Sequence, residues 1–311
     1  MRSAFSRRTF VSGSAAAAAV AAINAVAPSS IRGAAKDSLP GVQLYMVQAE
    51  LKEDAPGTLR ELAAIGYPYV EYFALGGHNA AEFRKMADDA GLRCPSGHFG
   101  FGMEATGKLL DDAATLGAHY VISSILPPRP MKDFKIEGLM EEMNHLERDD
   151  FKRMAAEANE IGKAAHERGL QYAYHNHNVE FRTLEDGATG YSILMKETDP
   201  ELVKFEADVG WMATGGADPL AILRSAPKRF PLLHFKDFAV LKPPVTQLGT
   251  DRQGQIVDLG QGLVPFKPLV AEGKAIGVEY YIVDHDPPFR NQTALEAAKI
   301  DFDYLSGLLR S

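Results

Sequence analysis

The chain has 311 residues, of which 46% are hydrophobic and 24% are charged, and its formal net charge is −8. This composition is typical of a globular protein and excludes a mainly disordered chain or one built from membrane spans. The acidic balance, without clusters of lysine and arginine, argues against nucleic acid as a partner, so a small-molecule partner is expected.

The first 35 residues have the features of an export signal. Arg7 and Arg8 precede an alanine-rich, weakly apolar run, and Ala25-Val26-Ala27 suits a signal peptidase. The pattern resembles a twin-arginine signal and predicts export to the periplasm, cleavage, and no stable membrane insertion afterwards. A membrane anchor or an alanine-rich helix is the alternative, although the run is short and poorly apolar for a bilayer span.

The arginine pair gives a direct test of the predicted signal. Changing Arg7 and Arg8 to lysine is expected to leave unprocessed precursor in the cytoplasm, because the twin-arginine route recognises this pair. Cell fractionation and immunoblotting of precursor and mature protein measure the outcome. Normal periplasmic accumulation of the double variant would contradict the predicted signal.

Eight short runs rich in β-branched and aromatic residues alternate with helical patterns along the rest of the chain. Several helical patterns end on glycine, as is common just past a helix C-terminus. Eight such units predict a single α/β domain, a (β/α)8 TIM barrel, over residues 36–311. An open doubly wound sheet is the alternative, but no glycine-rich dinucleotide loop follows the first strand. The predicted strands are GVQLYMV from Gly41, YVEYFAL from Tyr69, RCPSGHF from Arg93, HYVISSI from His119, QYAYHNH from Gln171, VKFEADVGW from Val203, FPLLHFKDF from Phe230 and GVEYYIVDHD from Gly277.

Two connections, residues 126–149 and 239–262, are longer than the others. Each follows a predicted strand, on the side where a barrel has its active site. Long loops in this place often close over a pocket or form its wall, so these roles are expected here. A loop that only contacts a partner is the alternative.

Ionisable residues recur at the carboxyl ends of the predicted strands, where a barrel has its mouth. In QYAYHNHNVEF, His175 and His177 are one residue apart and therefore share one face of an extended chain. A mouth crowded with polar groups is costly unless a metal, a ligand or mutual hydrogen bonds satisfy them. The strand-end residues are Glu71, His98, His175, His177, Asp208, His234, Lys236, Asp284 and Asp286.

Imidazole nitrogens mixed with carboxylate oxygens suit Mn²⁺, Zn²⁺, Co²⁺ or Fe²⁺ better than Ca²⁺ or a thiolate-bound metal. The donors come from different strands, so no local metal-binding motif identifies the site. The residues therefore predict a divalent metal site, with an acid/base pocket that holds no metal as the alternative.

Several segments, taken together and in order, resemble the sugar phosphate isomerase/epimerase family with the xylose isomerase-like barrel. They are GVQLYMV, YHNHNVEF, FEADVGWMATGGADP, HFKD, VDLGQGLVPFKPLV and YYIVDHDPP, and the resemblance covers nearly the whole chain from Gly41. It implies a TIM barrel with one divalent ion at the mouth, most often Mn²⁺, with Zn²⁺, Co²⁺, Fe²⁺ or Mg²⁺ as alternatives. Carried onto this sequence, the implied ligands are His175, Asp208, His234 and Asp284.

The sequence departs from the family pattern at two of these positions. Many members have glutamate where this chain has His175 and Asp284, and in the sugar epimerases the two glutamates also act as acid and base. A metal-bound neutral histidine is a poor base, and aspartate is one methylene shorter. The family also includes dehydratases, lyase subunits and endonucleases, so membership predicts the scaffold better than the reaction.

Other residues are therefore candidates for moving the proton. His177, beside His175 on one strand face, is the first candidate for the base, and His98 is the second. Glu180 is expected to orient an imidazole or bind a hydroxyl group. Lys236 is expected to stabilise an oxyanion, with a salt bridge to Asp208 or Asp237 as the alternative.

Four further residues have expected roles around this site. Glu71 is a candidate for binding substrate hydroxyl groups. Trp211 is a candidate for stacking on a sugar ring, with filling of the barrel rim as the alternative. Glu206 is expected one layer deeper, as a supporting or ion-pair residue, and Asp286 is expected outside the ligand set.

The leading functional hypothesis is a metal-dependent isomerase or epimerase that acts on a free sugar or keto-sugar through an enediolate. A lyase or dehydratase acting on a cyclic polyol or a 3-keto-glycoside is the runner-up, and a non-catalytic sugar-binding protein is the third hypothesis. The expected partner is a small carbohydrate or polyol, and assembly into a homo-oligomer stays open.

Overall fold

The computed structural model describes residues 39–73, 77–129, 138–249 and 255–311. The predicted export signal lies outside them. The strands are β1 (Gly41–Gln43), β2 (Tyr69–Tyr72), β3 (Arg93–His98), β4 (Tyr120–Ser123), β5 (Gln171–His175), β6 (Val203–Asp208), β7 (Leu232–Phe235), β8 (Asp237–Phe238), β9 (Ile256–Val257) and β10 (Tyr280–Val283). The helices are α1 (Gln48–Ile65), α2 (Ala80–Asp89), α3 (Thr106–Leu116), α4 (Leu139–Asn144), α5 (Arg148–His166), α6 (Gly190–Glu197), α7 (Val209–Thr214), α8 (Pro219–Ser225), α9 (Phe266–Ile276) and α10 (Ala294–Arg310).

Eight of the strands close into a barrel in the order β1-β10-β7-β6-β5-β4-β3-β2, and each neighbouring pair is parallel. The predicted (β/α)8 barrel is therefore confirmed, and the open sheet is excluded. The eighth predicted strand corresponds to β10, because β8 and β9 form a separate antiparallel hairpin. Within the described residues, no helix combines the length and the apolar character needed to cross a bilayer.

The first predicted strand is shorter than expected. After β1 the chain turns into a 3-10 helix, Leu44–Val47, because the Gln43 side chain accepts a hydrogen bond from the Tyr45 backbone N–H at 3.0 Å. A 3-10 turn rotates side chains out of the strand alternation. The ring of Tyr45 therefore reaches the barrel mouth, which the strand prediction did not indicate.

Glycines end several helices, as the sequence predicts. Gly117 and Gly277 follow α3 and α9 with φ of +79° and +83°, in the left-handed region that other residues adopt with difficulty. These turns bring the chain from each helix directly into the next strand.

The barrel interior has an apolar lower layer and a polar upper layer. The lower layer is closed by aromatic rings, with the Tyr69 and Tyr280 rings 5.2 Å apart and the Tyr120 and Tyr280 rings 6.1 Å apart. This filled base closes the barrel at that end, so ligands can enter only from the carboxyl ends of the strands. The residues of the lower layer are Tyr69, Tyr120, Ile122, Ala173, Leu232, Tyr280 and Ile282.

The two long connections contact each other above the mouth. Asn144, which ends α4, donates to the Leu248 carbonyl oxygen at 3.2 Å and accepts from the Leu248 N–H at 2.7 Å. Residues 130–137 and 250–254 of these connections lie outside the described residues. Met140 of the first connection lines the cavity at the mouth, and a lid or wall role for the two connections stays a prediction.

Candidate metal centre and active site

The strand register brings four predicted ligands together at the mouth. His175 pairs with Glu206 across β5 and β6, and Asp208 pairs with His234 across β6 and β7. Asp284 follows β10 on the other side of β7. One ligand atom from each of His175, Asp208, His234 and Asp284 lies within 4.8 Å of the others, and all four residues are buried. We call these four residues the mouth quartet.

Asp208 is oriented by the helix that follows it. Its Oδ1 accepts a hydrogen bond from the Trp211 N–H at 2.7 Å and so caps α7. Gly210 permits this sharp turn, since a Cβ there would lie 2.2 Å from the Lys236 carbonyl oxygen. The second oxygen, Oδ2, is buried without a hydrogen-bond partner. One oxygen is therefore fixed by the fold, and the other is available to a ligand.

Asp284 and His234 complete the same side of the quartet. Asp284 Oδ2 lies 3.2 Å from His234 Nδ1 and 3.0 Å from Lys236 Nζ. Asp284 Oδ1 is buried without a hydrogen-bond partner. Burial alone would raise the pKa of Asp284, but Lys236 and His234 outweigh it and hold the pKa well below its usual range.

The mouth quartet fits a divalent cation. Within the part of the chain that the structure describes, one buried carboxylate oxygen of Asp208 and one of Asp284 have no hydrogen-bond partner, which is costly unless a cation or a donor satisfies them. Burial, followed by the charge on His234, lowers the pKa of His175 well below its usual range, and a neutral imidazole is the form that binds a metal. The donor set of two nitrogens and two oxygens is one that Mn²⁺ and Zn²⁺ accept.

In the HNHN segment at the end of β5, residues 175–178, the two histidines lie at the mouth and the two asparagines bind backbone groups. The rings of His175 and His177 lie side by side at the mouth, with centroids 5.1 Å apart. Asn176 pairs with the backbone of Asp208, donating to its carbonyl oxygen and accepting from its N–H, both at 3.2 Å. Asn178 donates to the carbonyl oxygens of Val245 and Gln247 at 2.9 and 3.0 Å. The asparagines thus fix the strand and loop that hold the histidines.

A cavity of about 140 Å³ opens above the mouth quartet. Its polar floor includes both histidines of the HNHN segment. Its opposite wall is apolar. The lining residues are Gln43, Tyr45, Phe73, His98, Ser124, Ile125, Met140, His175, His177, Lys236, Asp284 and Asp286.

His177 and His98 line this cavity in opposite protonation states. Burial, aided by the charge of Lys236, lowers the pKa of His177 to about 3, and its Nδ1 has no hydrogen-bond partner. Burial would also lower the pKa of His98, but Glu71 and Glu206 outweigh it and raise the pKa to about 9. His177 is therefore a neutral base at physiological pH. A pKa of about 9 leaves a proton on His98 at neutral pH, which suits an acid better than the second base of the sequence prediction.

Lys236 lies on the cavity floor as an ammonium ion. Its Nζ is 2.8 Å from Asp286 and 3.0 Å from Asp284, while Asp208 is 3.9 Å away. Burial would lower the pKa of Lys236, but these carboxylates outweigh it and raise the pKa above its usual value. The short ion pairs of Lys236 are thus to Asp286 and Asp284, and not to Asp208 or Asp237 as the alternative prediction had them. Asp286 lies outside the mouth quartet, as expected, and holds the lysine.

Glu71 is not placed to bind substrate, which corrects the sequence prediction. Its side chain is fully buried below the cavity and is absent from the lining. Its Oε1 lies 2.7 Å from His234 Nε2 and accepts from Gln43, and its Oε2 accepts from Ser96 at 2.6 Å. Glu206 is also fully buried, one layer below the mouth as predicted. We call Glu71 and Glu206 the carboxylate layer.

Trp211 takes the second of its two predicted roles, and Glu180 differs from its predicted role. Trp211 is buried against Phe238 at a ring distance of 5.0 Å and does not line the cavity, so it fills the rim and does not offer a stacking face. Glu180 accepts from the Tyr174 hydroxyl at 2.7 Å and from the His177 backbone N–H at 3.0 Å. It fixes the backbone of the base and touches neither an imidazole ring nor the cavity.

Tyr45 and Phe73 form an aromatic wall that sequence reasoning missed. Their rings meet edge to face at 4.8 Å, and both line the cavity opposite the polar floor. Tyr45 is 37% exposed, which is high for a large aromatic side chain in this fold. Such a wall suits the C–H face of a sugar or polyol ring. The sequence feature that could have indicated this wall is an aromatic residue shortly after each of the first two strands, Tyr45 after β1 and Phe73 after β2.

Removing the Tyr45 ring is expected to weaken substrate binding without stopping turnover. Tyr45→Ala should raise KM roughly 5- to 10-fold, since an aromatic contact contributes about 1 to 1.5 kcal/mol. The kcat should change little, because the ring belongs neither to the mouth quartet nor to the candidate acids and bases. Tyr45→Phe keeps the ring and serves as the matched control. An unchanged KM in Tyr45→Ala would show that the wall does not contact substrate.

The HFKD and DLGQG segments meet behind the site. The Asp237 carboxylate accepts hydrogen bonds from the backbone N–H groups of Gly260 and Gly262, both at 2.9 Å, and of Val264 at 3.1 Å. The loop after β9 is thereby fixed against the start of β8. These residues shape the mouth from outside and do not line the cavity.

Comparisons with known proteins agree with this architecture. A family model described as the xylose isomerase-like TIM barrel matches residues 59–301. Inosose dehydratase from Lacticaseibacillus casei is 28% identical over 174 residues, which are 52% of this chain and 57% of that protein. Inosose dehydratase from Clostridium tetani is 28% identical over 173 residues, with the same coverage. The chain thus spans little more than half the length of these curated relatives.

Solved structures extend the similarity over most of the chain. A sugar phosphate isomerase/epimerase from Parabacteroides distasonis has a TM-score of 0.68 and 26% identity, covering 86% of this chain and 93% of that chain. A probable 3-DHS dehydratase from Bacillus anthracis has a TM-score of 0.61 and 12% identity, covering 86% and 98%, and indicates the fold alone. Because the family model spans most of the closed barrel, the chain belongs to the xylose isomerase-like TIM barrel family of enzymes.

Proposed function

We propose that the protein is a metal-dependent lyase that removes water from a polyhydroxylated ketone, beginning with loss of a proton next to the carbonyl group. The observation that supports this most directly is that His177 and His98 line one cavity above the mouth quartet, while burial lowers the pKa of His177 and two buried carboxylates outweigh burial and raise the pKa of His98. Two titratable groups whose pKa values are driven apart are suited to act as base and acid.

The metal would be held by the mouth quartet. His175 and His234 would each offer one ring nitrogen, and Asp208 and Asp284 would each offer the oxygen that lacks a partner. We propose Mn²⁺ as the ion, with Zn²⁺, Co²⁺, Fe²⁺ or Mg²⁺ as alternatives, since the donors are of mixed nitrogen and oxygen type.

His177 is proposed to take the proton from carbon. Its Nδ1 has no hydrogen-bond partner and belongs to a ring that lines the cavity. A base with so low a pKa needs an acidified C–H bond, and a divalent ion bound beside it would supply that acidity as a Lewis acid on the substrate carbonyl. Lys236 would stabilise the negative charge that then forms on substrate oxygen.

His98 is proposed to give a proton to the departing hydroxyl group. Its Nε2 lies 2.8 Å from Glu206 and 3.0 Å from Glu71, so the proton it can release is the one on Nδ1. The two carboxylates hold the imidazolium in place before the reaction. Elimination requires this division into base and acid, whereas the glutamate pair typical of the sugar epimerases is absent here.

An isomerase or epimerase is the second candidate. It is favoured by the similarity to the Parabacteroides distasonis isomerase/epimerase, which extends over 86% of this chain. The first step would be the same, but His177 would return the proton to carbon and no water would leave. The proposed substrate in both cases is an uncharged sugar or cyclic polyol, and the proposed location is the periplasm.

The two reactions separate in one experiment. The metal-loaded protein is incubated in heavy water with a panel of inososes, 3-keto-glycosides and keto-sugars, and the products are followed by NMR and ultraviolet absorbance. Deuterium uptake with an unsaturated, dehydrated product supports the lyase. Deuterium uptake with a rearranged sugar supports the isomerase. Absence of exchange across the panel would favour a sugar-binding protein and contradict both.

The pH dependence of turnover tests the two histidines. His177 stays neutral above its pKa of about 3, and His98 stays protonated below its pKa of about 9, so kcat should be level through neutral pH. It should fall as pH rises towards 9, because the acid loses its proton. A bound cation lowers both pKa values and moves this fall to lower pH. In His98→Gln the residual activity should lack the alkaline fall, and an unchanged profile would contradict the assignment.

A further inference from the structure

The geometry points to the carboxylate layer, Glu206 and Glu71, as positioning residues that determine which ring nitrogen each histidine ligand presents to the ion. Glu206 acts on His175, and Glu71 acts on His234, whose Nε2 also lies 3.1 Å from Glu206 Oε1. This inference rests on the proposed metal site, but it concerns two residues that lie outside the mouth quartet and outside the cavity lining.

Each histidine ligand has one nitrogen directed at a buried carboxylate. Nδ1 of His175 lies 2.9 Å from Glu206 Oε2, and Nε2 of His234 lies 2.7 Å from Glu71 Oε1. Both glutamate side chains are fully buried. An ionised carboxylate only accepts hydrogen bonds, so each facing nitrogen must carry the hydrogen.

The opposite nitrogens are then the metal ligands. A neutral imidazole has one N–H and one lone pair, so hydrogen on Nδ1 of His175 leaves the lone pair on Nε2. Nε2 of His234 is held by Glu71, so Nδ1 is the nitrogen left for an ion; without an ion, Nδ1 lies 3.2 Å from the Asp284 carboxylate and also carries hydrogen, which the ion would displace. The two ligands therefore use different ring nitrogens, because their partners approach from different strands.

The carboxylate layer is itself held rigidly. Gln43 Nε2 donates to Glu71 Oε1 at 2.7 Å and Ser96 Oγ donates to Glu71 Oε2 at 2.6 Å, which tie it to β1 and β3. His98 Nε2 lies between the two glutamates, 2.8 Å from Glu206 and 3.0 Å from Glu71. Neither carboxylate can turn away without breaking these contacts, so the orientation of both imidazoles is set before an ion arrives.

A competing arrangement uses the same atoms. His98, His175, Glu206 and His234 also place one potential ligand atom each within 4.8 Å of one another, so a second ion could in principle sit in the carboxylate layer. The short histidine–carboxylate contacts favour hydrogen bonds there. Metal stoichiometry distinguishes the two arrangements.

The test compares wild type with Glu206→Gln and Glu71→Gln in the full chain. Titration calorimetry with Mn²⁺ and with Zn²⁺ should give one ion per wild-type chain and an affinity about 10- to 100-fold weaker in either variant, the usual effect of losing such a partner. Glu180→Gln is the matched control, because Glu180 is equally buried but touches neither ligand. Its metal affinity should stay within about twofold of wild type.

Nitrogen-15 NMR of the histidine rings gives a readout that does not depend on activity. In Zn²⁺-loaded wild type, hydrogen should be on Nδ1 of His175 and on Nε2 of His234. Glu206→Gln should disturb the His175 signals most and the His234 signals less, because Glu206 Oε1 also lies 3.1 Å from His234 Nε2. Glu71→Gln should disturb the His234 signals and leave those of His175 unchanged. The wild-type spectrum alone decides the tautomers even if a variant fails to fold.

Three results would overturn the inference: unchanged metal affinity in both variants, the opposite tautomer at either histidine, or two ions per wild-type chain. If wild type binds no ion, the proposed function fails. The metal-free spectrum still shows whether the two N–H groups face the carboxylate layer, so the two failures can be told apart.

Discussion

Replacing His177 with alanine is expected to lower kcat by about 10²- to 10⁴-fold while leaving the metal content unchanged. This range is the usual contribution of a positioned base, and His177 lies beside the mouth quartet without belonging to it. The unpartnered Nδ1 in the cavity is the atom lost. His175→Ala should instead lose the metal ion, and turnover should be lost as a consequence.

The measurement needs kcat and metal analysis on the same preparations. His119→Ala is the matched control, because His119 precedes β4 at the other end of the barrel and contacts the Tyr120 ring there. It should keep both metal and turnover. Loss of metal in both His175→Ala and His177→Ala would make both residues ligands and leave the base unassigned. Full turnover in His177→Ala would end its catalytic role.

The sequence predicts the barrel and the quartet because both depend on local patterns. Strand-like runs end in ionisable residues at His175, Asp208, His234 and Asp284, and parallel strands in a barrel place their carboxyl ends together. The HNHN segment also predicts two imidazoles on one side. The family resemblance selected which of the strand-end residues form the set.

The depth of a residue in the barrel is harder to obtain from sequence. Glu71 is the penultimate residue of β2, whereas Asp208 is the last residue of β6, and Glu71 lies a layer lower and faces His234. Strands in a closed barrel are tilted and staggered, so equivalent positions along the sequence lie at different heights. The positive charge of His98 is equally hard to predict from sequence, because its two carboxylate partners come from other strands.

The remaining errors come from contacts between distant segments. Trp211 is covered by Phe238 and Ile256, which belong to the hairpin after β7 and follow it by 27 and 45 residues. Nothing near Trp211 in sequence indicates this cover. Tyr45 shows the opposite case, because the 3-10 turn after β1 directs to the mouth a ring that strand alternation would have assigned otherwise.

Neutralising Asp208 is expected to abolish the stabilisation of the protein by metal. Asp208→Asn keeps the carbonyl oxygen that caps α7 but removes the anionic oxygen that lacks a partner. An ion at about 100 times its Kd stabilises the native state by about 2.7 kcal/mol. For a domain of this size that corresponds to a rise in Tm of about 5 to 10 °C. The rise should appear on adding Mn²⁺ to wild type and be absent in the variant.

Without metal, the Tm of Asp208→Asn should be equal to or higher than the Tm of wild type. Burial raises the pKa of Asp208 to about 7 against the pull of Lys236, so the ionised carboxylate is unfavourable in the fold without a cation. Its neutral isostere, asparagine, removes that cost, and metal-free Asp208→Asn should melt at or above metal-free wild type.

Asp286→Asn is the control, since Asp286 contacts Lys236 on the same floor but lies outside the quartet, and it should keep the metal-dependent rise in Tm. A full rise in Asp208→Asn would place the ion elsewhere. A large loss of Tm in its metal-free form would show that the carboxylate stabilises the barrel through contacts within the protein.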